Sequence, residues 1–198
     1  PDYAIPSPNS WNRSNCITRA ATEEPGMSGM SIVTYDRHIE LDIKTKEPFD
    51  RIWAFHHREA PLLTVPDSLS DGICCPALDN DEMTLIPLSR PVEQIRLCAS
   101  VADSSFAHSA FYGFSLENGR SGVLYHSFGI NGNTYAAINR NPQIVRQASG
   151  LCPDLVIVSL GTNDSYGASF DPADADVQIT RLIDSIRRNM PASVLLLT

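Results

Sequence analysis

Polar and apolar residues alternate along the first half of the chain, and the alternation gives way to longer apolar runs in the second. The clearest case is Glu93-Gln94-Ile95-Arg96-Leu97-Cys98-Ala99-Ser100-Val101, where positions 95, 97, 99 and 101 are apolar and share one face of a strand. Further strand-like runs lie at 31–35, 39–44, 51–57, 62–65, 83–88 and 110–116, punctuated by Pro and Gly, with no helical period between them. Short strands at this spacing predict an antiparallel β-sandwich of the jelly-roll kind.

Near residue 120 the period changes. Residues 122–127 read as a strand, and Asn141-Pro142 reads as an N-cap with proline at the first helical position. Gly150 is expected to close that helix as a left-handed terminator. Five of the six residues 155–160 are apolar, which predicts a parallel strand buried on both faces. Asp171-Pro172 opens a second helix, with Ile179, Leu182, Ile183, Ile186 and Met190 as its core-facing stripe. Asp171, Asp174 and Asp176 near its start and Arg187 and Arg188 near its end match the helix dipole. Pro191 stops it, and 194–197 reads as another buried strand. The order β-α-β-α-β predicts a piece of a parallel sheet. Three parallel strands with two helices would leave much apolar surface bare, so this half reads as part of a larger fold.

Composition narrows the function. The chain has 198 residues, 42% of them hydrophobic, and a net charge of −8 with no basic cluster longer than two residues. A nucleic-acid partner is not expected, because phosphate binding needs several cations on one face. No stretch of about 20 apolar residues is present, so no membrane-spanning helix is expected. The chain opens on Pro1-Asp2-Tyr3, without a signal peptide, and reads as processed or trimmed. The five cysteines, Cys16, Cys74, Cys75, Cys98 and Cys152, are irregularly spaced and form neither a disulfide framework nor a zinc pattern. They read as buried or inert thiols.

The chemistry concentrates after the strand at 155–160. Gly161-Thr162-Asn163-Asp164 puts the Asn163 amide beyond the carboxyl end of a parallel strand, where open α/β sheets build their sites. An amide there can donate to a developing oxyanion without carrying charge.

Gly161-Thr162-Asn163-Asp164 matches Gly-x-Asn-Asp, the third block of the SGNH (GDSL-type) hydrolases, which this half of the chain resembles. Tyr125-His126-Ser127-Phe128-Gly129-Ile130-Asn131-Gly132-Asn133-Thr134 resembles the second block, in which one glycine lends its backbone N–H to the oxyanion. The matching glycine is Gly132, and 163 − 132 = 31 positions separate it from Asn163, room for helix, strand and loop. Residues 114–134 and 153–198 look like a bacterial subgroup similar to peptidoglycan O-acetylesterases, which carry a carbohydrate-binding-like β-sandwich between the first and second blocks. Asp2-Tyr3-Ala4-Ile5, Trp11 and Gly26-Met27-Ser28-Gly29-Met30 resemble the start of that insert.

The resemblance implies an α+β multi-domain chain. An antiparallel β-sandwich, jelly-roll-like and carbohydrate-binding-module-like, would span 1–118, and part of a flavodoxin-like SGNH α/β sheet would span 119–198. It implies a serine esterase removing acyl groups, in particular O-acetyl groups, from a carbohydrate of the bacterial periplasm or cell envelope. Gly132 and Asn163 would form the oxyanion hole, with no cofactor and no metal. The family's Gly-Asp-Ser and Asp-x-x-His blocks do not occur in the sequence and would lie before Pro1 and beyond Thr198. These residues alone are therefore expected to be inactive. A second reading stays open, a non-catalytic carbohydrate-binding module carrying a dead hydrolase remnant.

Other candidates read as structural. His56 and His57 are adjacent on a strand and point to opposite faces, so they do not suggest a metal site. His126 reads as a packed strand histidine rather than a base. Ser127 and Ser165 lie in no Gly-Asp-Ser or Gly-x-Ser-x-Gly elbow. Asp164 reads as a brace for its loop. Trp11, Trp53, Tyr112 and Phe114 could form a sugar-stacking platform, although core or inter-domain packing explains them more simply.

Overall fold

The computed structural model describes residues 10–17, 23–71, 75–76 (backbone only), 82–103, 106–166 and 170–198. The run Asp2-Tyr3-Ala4-Ile5 and Cys74 lie outside the described residues. The chain forms two compact units, one of Pro1–Arg13 and Ile32–His126, the other of Ser14–Ser31 and Ser127–Thr198. This division differs from the expected one after residue 118, because Ser14–Ser31 fold with the carboxyl-terminal unit.

Six strands, β1 (Asn12–Asn15), β2 (Met30–Thr34), β3 (His38–His56), β4 (Cys75–Pro76), β5 (Met83–Ser100) and β6 (Ser109–Glu117), form one sheet in the order β1-β2-β6-β3-β5-β4. The expected runs 39–44 and 51–57 are the two ends of β3, and 83–88 and 93–101 are the two ends of β5. These two long strands pair antiparallel from His38↔Ser100 to Phe55↔Met83, with register shifts between Lys44 and Phe49 and between Phe49 and Arg51. Pro48 and Pro91 fall in this irregular stretch, where a residue without an N–H is tolerated.

Both ends of the paired β3 and β5 feed one core. Ile39, Leu41, Ile95 and Leu97 come from one end, Ile52, Ala54 and Ile86 from the other, and Phe49 sits between the register shifts. The pairings among β2 to β6 are antiparallel, in fewer and longer strands than a seven-strand jelly roll. Two expected strands do not form. Residues 62–65 contribute only a bridge, Thr64 N–H donating to Cys98 O at 2.7 Å and Cys98 N–H to Thr64 O at 2.9 Å. Residues 122–127 have no strand pairing, and Val123 is 97% exposed there. The apolar pattern was present, but a strand needs a partner ladder to satisfy its backbone.

The second unit contains α1 (Tyr135–Asn139), α2 (Gln143–Ser149), β7 (Leu155–Val158), α3 (Pro172–Asn189) and β8 (Val194–Leu197). β7 and β8 pair in parallel, Leu155↔Val194 through Val158↔Leu197, with α3 as the crossover. α3 is the expected helix. Asp171 caps it by accepting the Ala173 N–H at 2.9 Å, and Leu182, Ile186 and Met190 are buried with Val145, Val158 and Tyr135.

Three expectations fail in this unit. β7 is not buried on both faces, since Leu155 and Ile157 are each 50% exposed. Only its other face, Val156 and Val158, meets the core under the helices. Asn141 does not cap α2; its amide donates to Ala137 O at 2.7 Å, at the end of α1. Gly150 is right-handed at φ −64, and the positive φ falls at Cys152. There the helix unwinds through Leu151 and Cys152 N–H bonds to Ala148 and Ser149 carbonyls, and Pro153 disfavours an α conformation just before it. α1 itself showed no apolar period in the sequence, because five residues are too few to carry one.

Candidate functional site

Gly132 lies in a turn closed by the Asn133 N–H donating to Ile130 O at 3.1 Å. Its φ of +82 at the third turn position is one that a side chain resists and glycine accepts. No acceptor takes the Gly132 N–H among the described residues. Asn133 is buried beneath the turn, and its Oδ1 accepts from the Thr134 N–H at 3.0 Å and from the Cys16 thiol at 3.4 Å. Burial raises the Cys16 thiol pKa, so this sulfur stays a protonated donor at neutral pH. Thr134 then caps α1 by accepting the Ala137 N–H at 3.1 Å.

The second part of the site follows β7. Gly161 adopts φ +111, with the Tyr135 ring 4.0 Å from where a Cβ would sit, and the chain turns back at once. Ser165 closes this turn, its N–H donating to Gly161 O at 2.8 Å and its Oγ to Thr162 O at 3.2 Å. Inside it, Asn163 is exposed, and its Nδ2 donates to Asn133 O at 3.0 Å. An amide nitrogen carries two hydrogens. The second has no acceptor among the described residues. The next residue, Asp164, accepts the Tyr135 N–H at 3.0 Å. Burial, and secondarily the Asp164 charge, raises the Tyr135 phenol pKa, so that group stays neutral.

Gly132 and Asn163 therefore belong to neighbouring turns that are bonded together, one residue from the glycine on one side and at the asparagine itself on the other. Each offers an unused, uncharged N–H. Two such donors fixed by local hydrogen bonds suit an oxygen that gains negative charge during acyl transfer.

The remaining candidates are placed as follows. Ser165 is a turn residue, its hydroxyl engaged. His126 belongs to the first unit and is not in a strand, contrary to expectation; burial lowers its pKa, with Glu117 opposing. Ser127 begins the second unit's carboxyl-terminal segment and is in no strand. His56 is buried, with Nδ1 2.9 Å from His57 O and Nε2 2.7 Å from Thr84 Oγ1. The proposed aromatic platform does not stand on the surface: Tyr112 is buried, and Trp11 and Phe114 pack on the core, where both meet the Phe111 ring. Cys16 is a buried free thiol as expected, whereas Cys152 is exposed. A cleft of about 670 Å³ in the first unit is lined by Arg51, Phe114, Glu117, Tyr125 and His126 among others, but by neither Gly132 nor Asn163.

Reasoning from sequence missed Asn133, Cys16 and Tyr135 as supports. A Thr before a short helix was a readable cap signal. The Cys16–Asn133 contact spans 117 positions and left no local trace.

Residues 101–198 match the model of the GDSL-like lipase/acylhydrolase family. No curated protein matches the chain. A solved structure described as "Peptidoglycan O-acetylesterase in action, 5 min" is similar in fold, with a TM-score of 0.66 and 17% sequence identity. The match covers 98% of this chain and 53% of that one, so the chain spans about half the length of the structure it resembles.

Proposed function

We propose, from the match of residues 101–198 to the GDSL-like lipase/acylhydrolase family model, that this chain carries the oxyanion-binding part of an SGNH serine esterase. The observation that supports this reading is the bond between the two turns, Asn163 Nδ2 to Asn133 O at 3.0 Å, which ties the amide donor to the residue that follows Gly132. In such an esterase a serine attacks the acyl carbon, a histidine oriented by an aspartate takes its proton, and the tetrahedral oxyanion is held by neutral donors. Gly132 N–H and Asn163 Nδ2 would be those donors. The serine and the histidine–aspartate pair belong to family blocks that these 198 residues do not contain.

We further propose an O-acetylated cell-envelope carbohydrate as substrate and an extracytoplasmic place of action, a reading suggested by the peptidoglycan O-acetylesterase of similar fold. The antiparallel unit would then be the carbohydrate-binding-like insert.

The test is Asn163→Ala in the intact protein carrying all family blocks, assayed for kcat on p-nitrophenyl acetate. The expected loss is about 10²- to 10³-fold, the usual effect of removing one oxyanion donor. A loss below about tenfold removes Asn163 from the oxyanion hole. Acetate release from O-acetylated peptidoglycan by the same protein tests the substrate.

A further inference from the structure

Two consecutive residues fasten the 161–165 turn to the segment that carries Gly132. Asn163 donates to Asn133 O at 3.0 Å, and Asp164 accepts the Tyr135 N–H at 3.0 Å. The two bonds are not equivalent. The first uses the same amide that an oxyanion would need. A lone amide–carbonyl bond holding the turn would let that amide swing about its side-chain torsions. The second is charge-assisted, runs to a backbone N–H, and is made by a half-buried carboxylate.

Asp164 also bears an unusual cost. Its Oδ2 is buried and has no hydrogen-bond partner among the described residues. A carboxylate oxygen taken out of water without a partner destabilises the folded state. A side chain chosen for stability alone would not leave that oxygen orphaned. On the other side of the same segment, Thr134 caps α1 through Ala137, and Asn133 Oδ1 holds the Thr134 N–H. Tyr135 itself is buried in the core under the helices, so the N–H that Asp164 holds belongs to a fixed residue.

We propose that Asp164 is the positioning residue of the oxyanion pair: by tying its turn to Tyr135 it frees the Asn163 amide from structural duty and sets its distance to Gly132. This rests on the esterase reading above, and the experiment separates the two. In the intact active protein, kcat and KM on p-nitrophenyl acetate and the thermal midpoint are measured for Asn163→Ala, Asp164→Ala, Asp164→Asn and the double alanine variant.

Asp164→Ala should lower kcat about 10- to 100-fold, as misplacement of a catalytic group does, while KM moves less than about threefold. Asp164→Asn keeps a carbonyl acceptor for the Tyr135 N–H and should hold kcat within about fivefold of wild type. In the Asn163→Ala background, Asp164→Ala should add less than about a twofold loss, because a residue acting through Asn163 has nothing left to position. An equal loss in both backgrounds overturns the proposal and leaves the oxyanion reading standing. A lowered thermal midpoint with kcat unchanged also overturns it. If Asn163→Ala alone costs less than about tenfold, the oxyanion reading fails and this proposal falls with it. Should Asp164→Ala not fold, Asp164→Asn decides: a tenfold or greater fall in kcat at an unchanged midpoint would mean that charge, not the tether, matters.

Discussion

The two sheets are written in similar residues and buried very differently. In β3 and β5, Ile39, Leu41, Ile52 and Leu97 are 0% exposed and belong to one apolar core. In β7 and β8, four consecutive apolar residues in each strand leave Leu155, Ile157, Val194 and Leu196 between 48% and 65% exposed. The parallel pairing puts Leu155 beside Val194 and Ile157 beside Leu196, so the exposed residues share one face while Val156, Val158 and Leu195 face the helices. A two-stranded parallel ribbon with its crossover on one side covers only one of its faces.

The comparison can be broken most forcefully in the first unit. Leu97→Ala should destabilise it by about 2–5 kcal/mol, the cost of a cavity in a tightly filled core. Both tryptophans, Trp11 and Trp53, lie in that unit, whereas all the described helices lie in the other. Urea unfolding followed by tryptophan fluorescence should therefore show the loss, while ellipticity at 222 nm reports the second unit. Leu182→Ala should do the reverse, lowering the 222 nm transition by about 2–4 kcal/mol, because Leu182 is buried in the helical core. Coincident shifts at both probes for either variant would show that the two cores do not stand on their own contacts.

A gentler test uses acid. Burial lowers the pKa of His56 below the ordinary histidine value of about 6.5. The folded state thus prefers the neutral ring, and the unfolded state binds the proton more readily. The stability this gives is whole above the unfolded pKa and declines as pH falls below about 6.5 toward the lower folded value. His56→Gln should flatten the fluorescence-detected stability between pH 7 and 5; an unchanged slope would assign the acid sensitivity elsewhere. The smallest effect belongs to the open face of the parallel ribbon. Ile157→Thr should change stability by no more than about 0.5–1 kcal/mol, since the side chain is already half in water. It should nonetheless reduce self-association in sedimentation, because it interrupts a contiguous apolar patch.

What the sequence settled was local. The alternation at 93–101, the capped and striped helix at α3 and the apolar run of β7 are one-dimensional patterns, and each formed because its own residues carried the signal. The proposed donors Gly132 and Asn163 rest on the same kind of local signal, one as a glycine in a matching block and the other as an amide after a strand. Only the tertiary structure decided the rest. It joined 39–44 to 51–57 in one long strand, denied 122–127 a pairing partner, and placed Ser14–Ser31 with the carboxyl-terminal unit. There the buried Gln147 side chain accepts the Met27 N–H at 2.9 Å, a contact across 120 positions. Likewise Asp164 reads in sequence as a brace for its loop, and only the fold shows that the partner it grips is the Tyr135 N–H. Caps, stripes and turns are encoded within a few residues, whereas pairing, burial and the joining of two distant turns depend on which distant segments satisfy each other's hydrogen bonds.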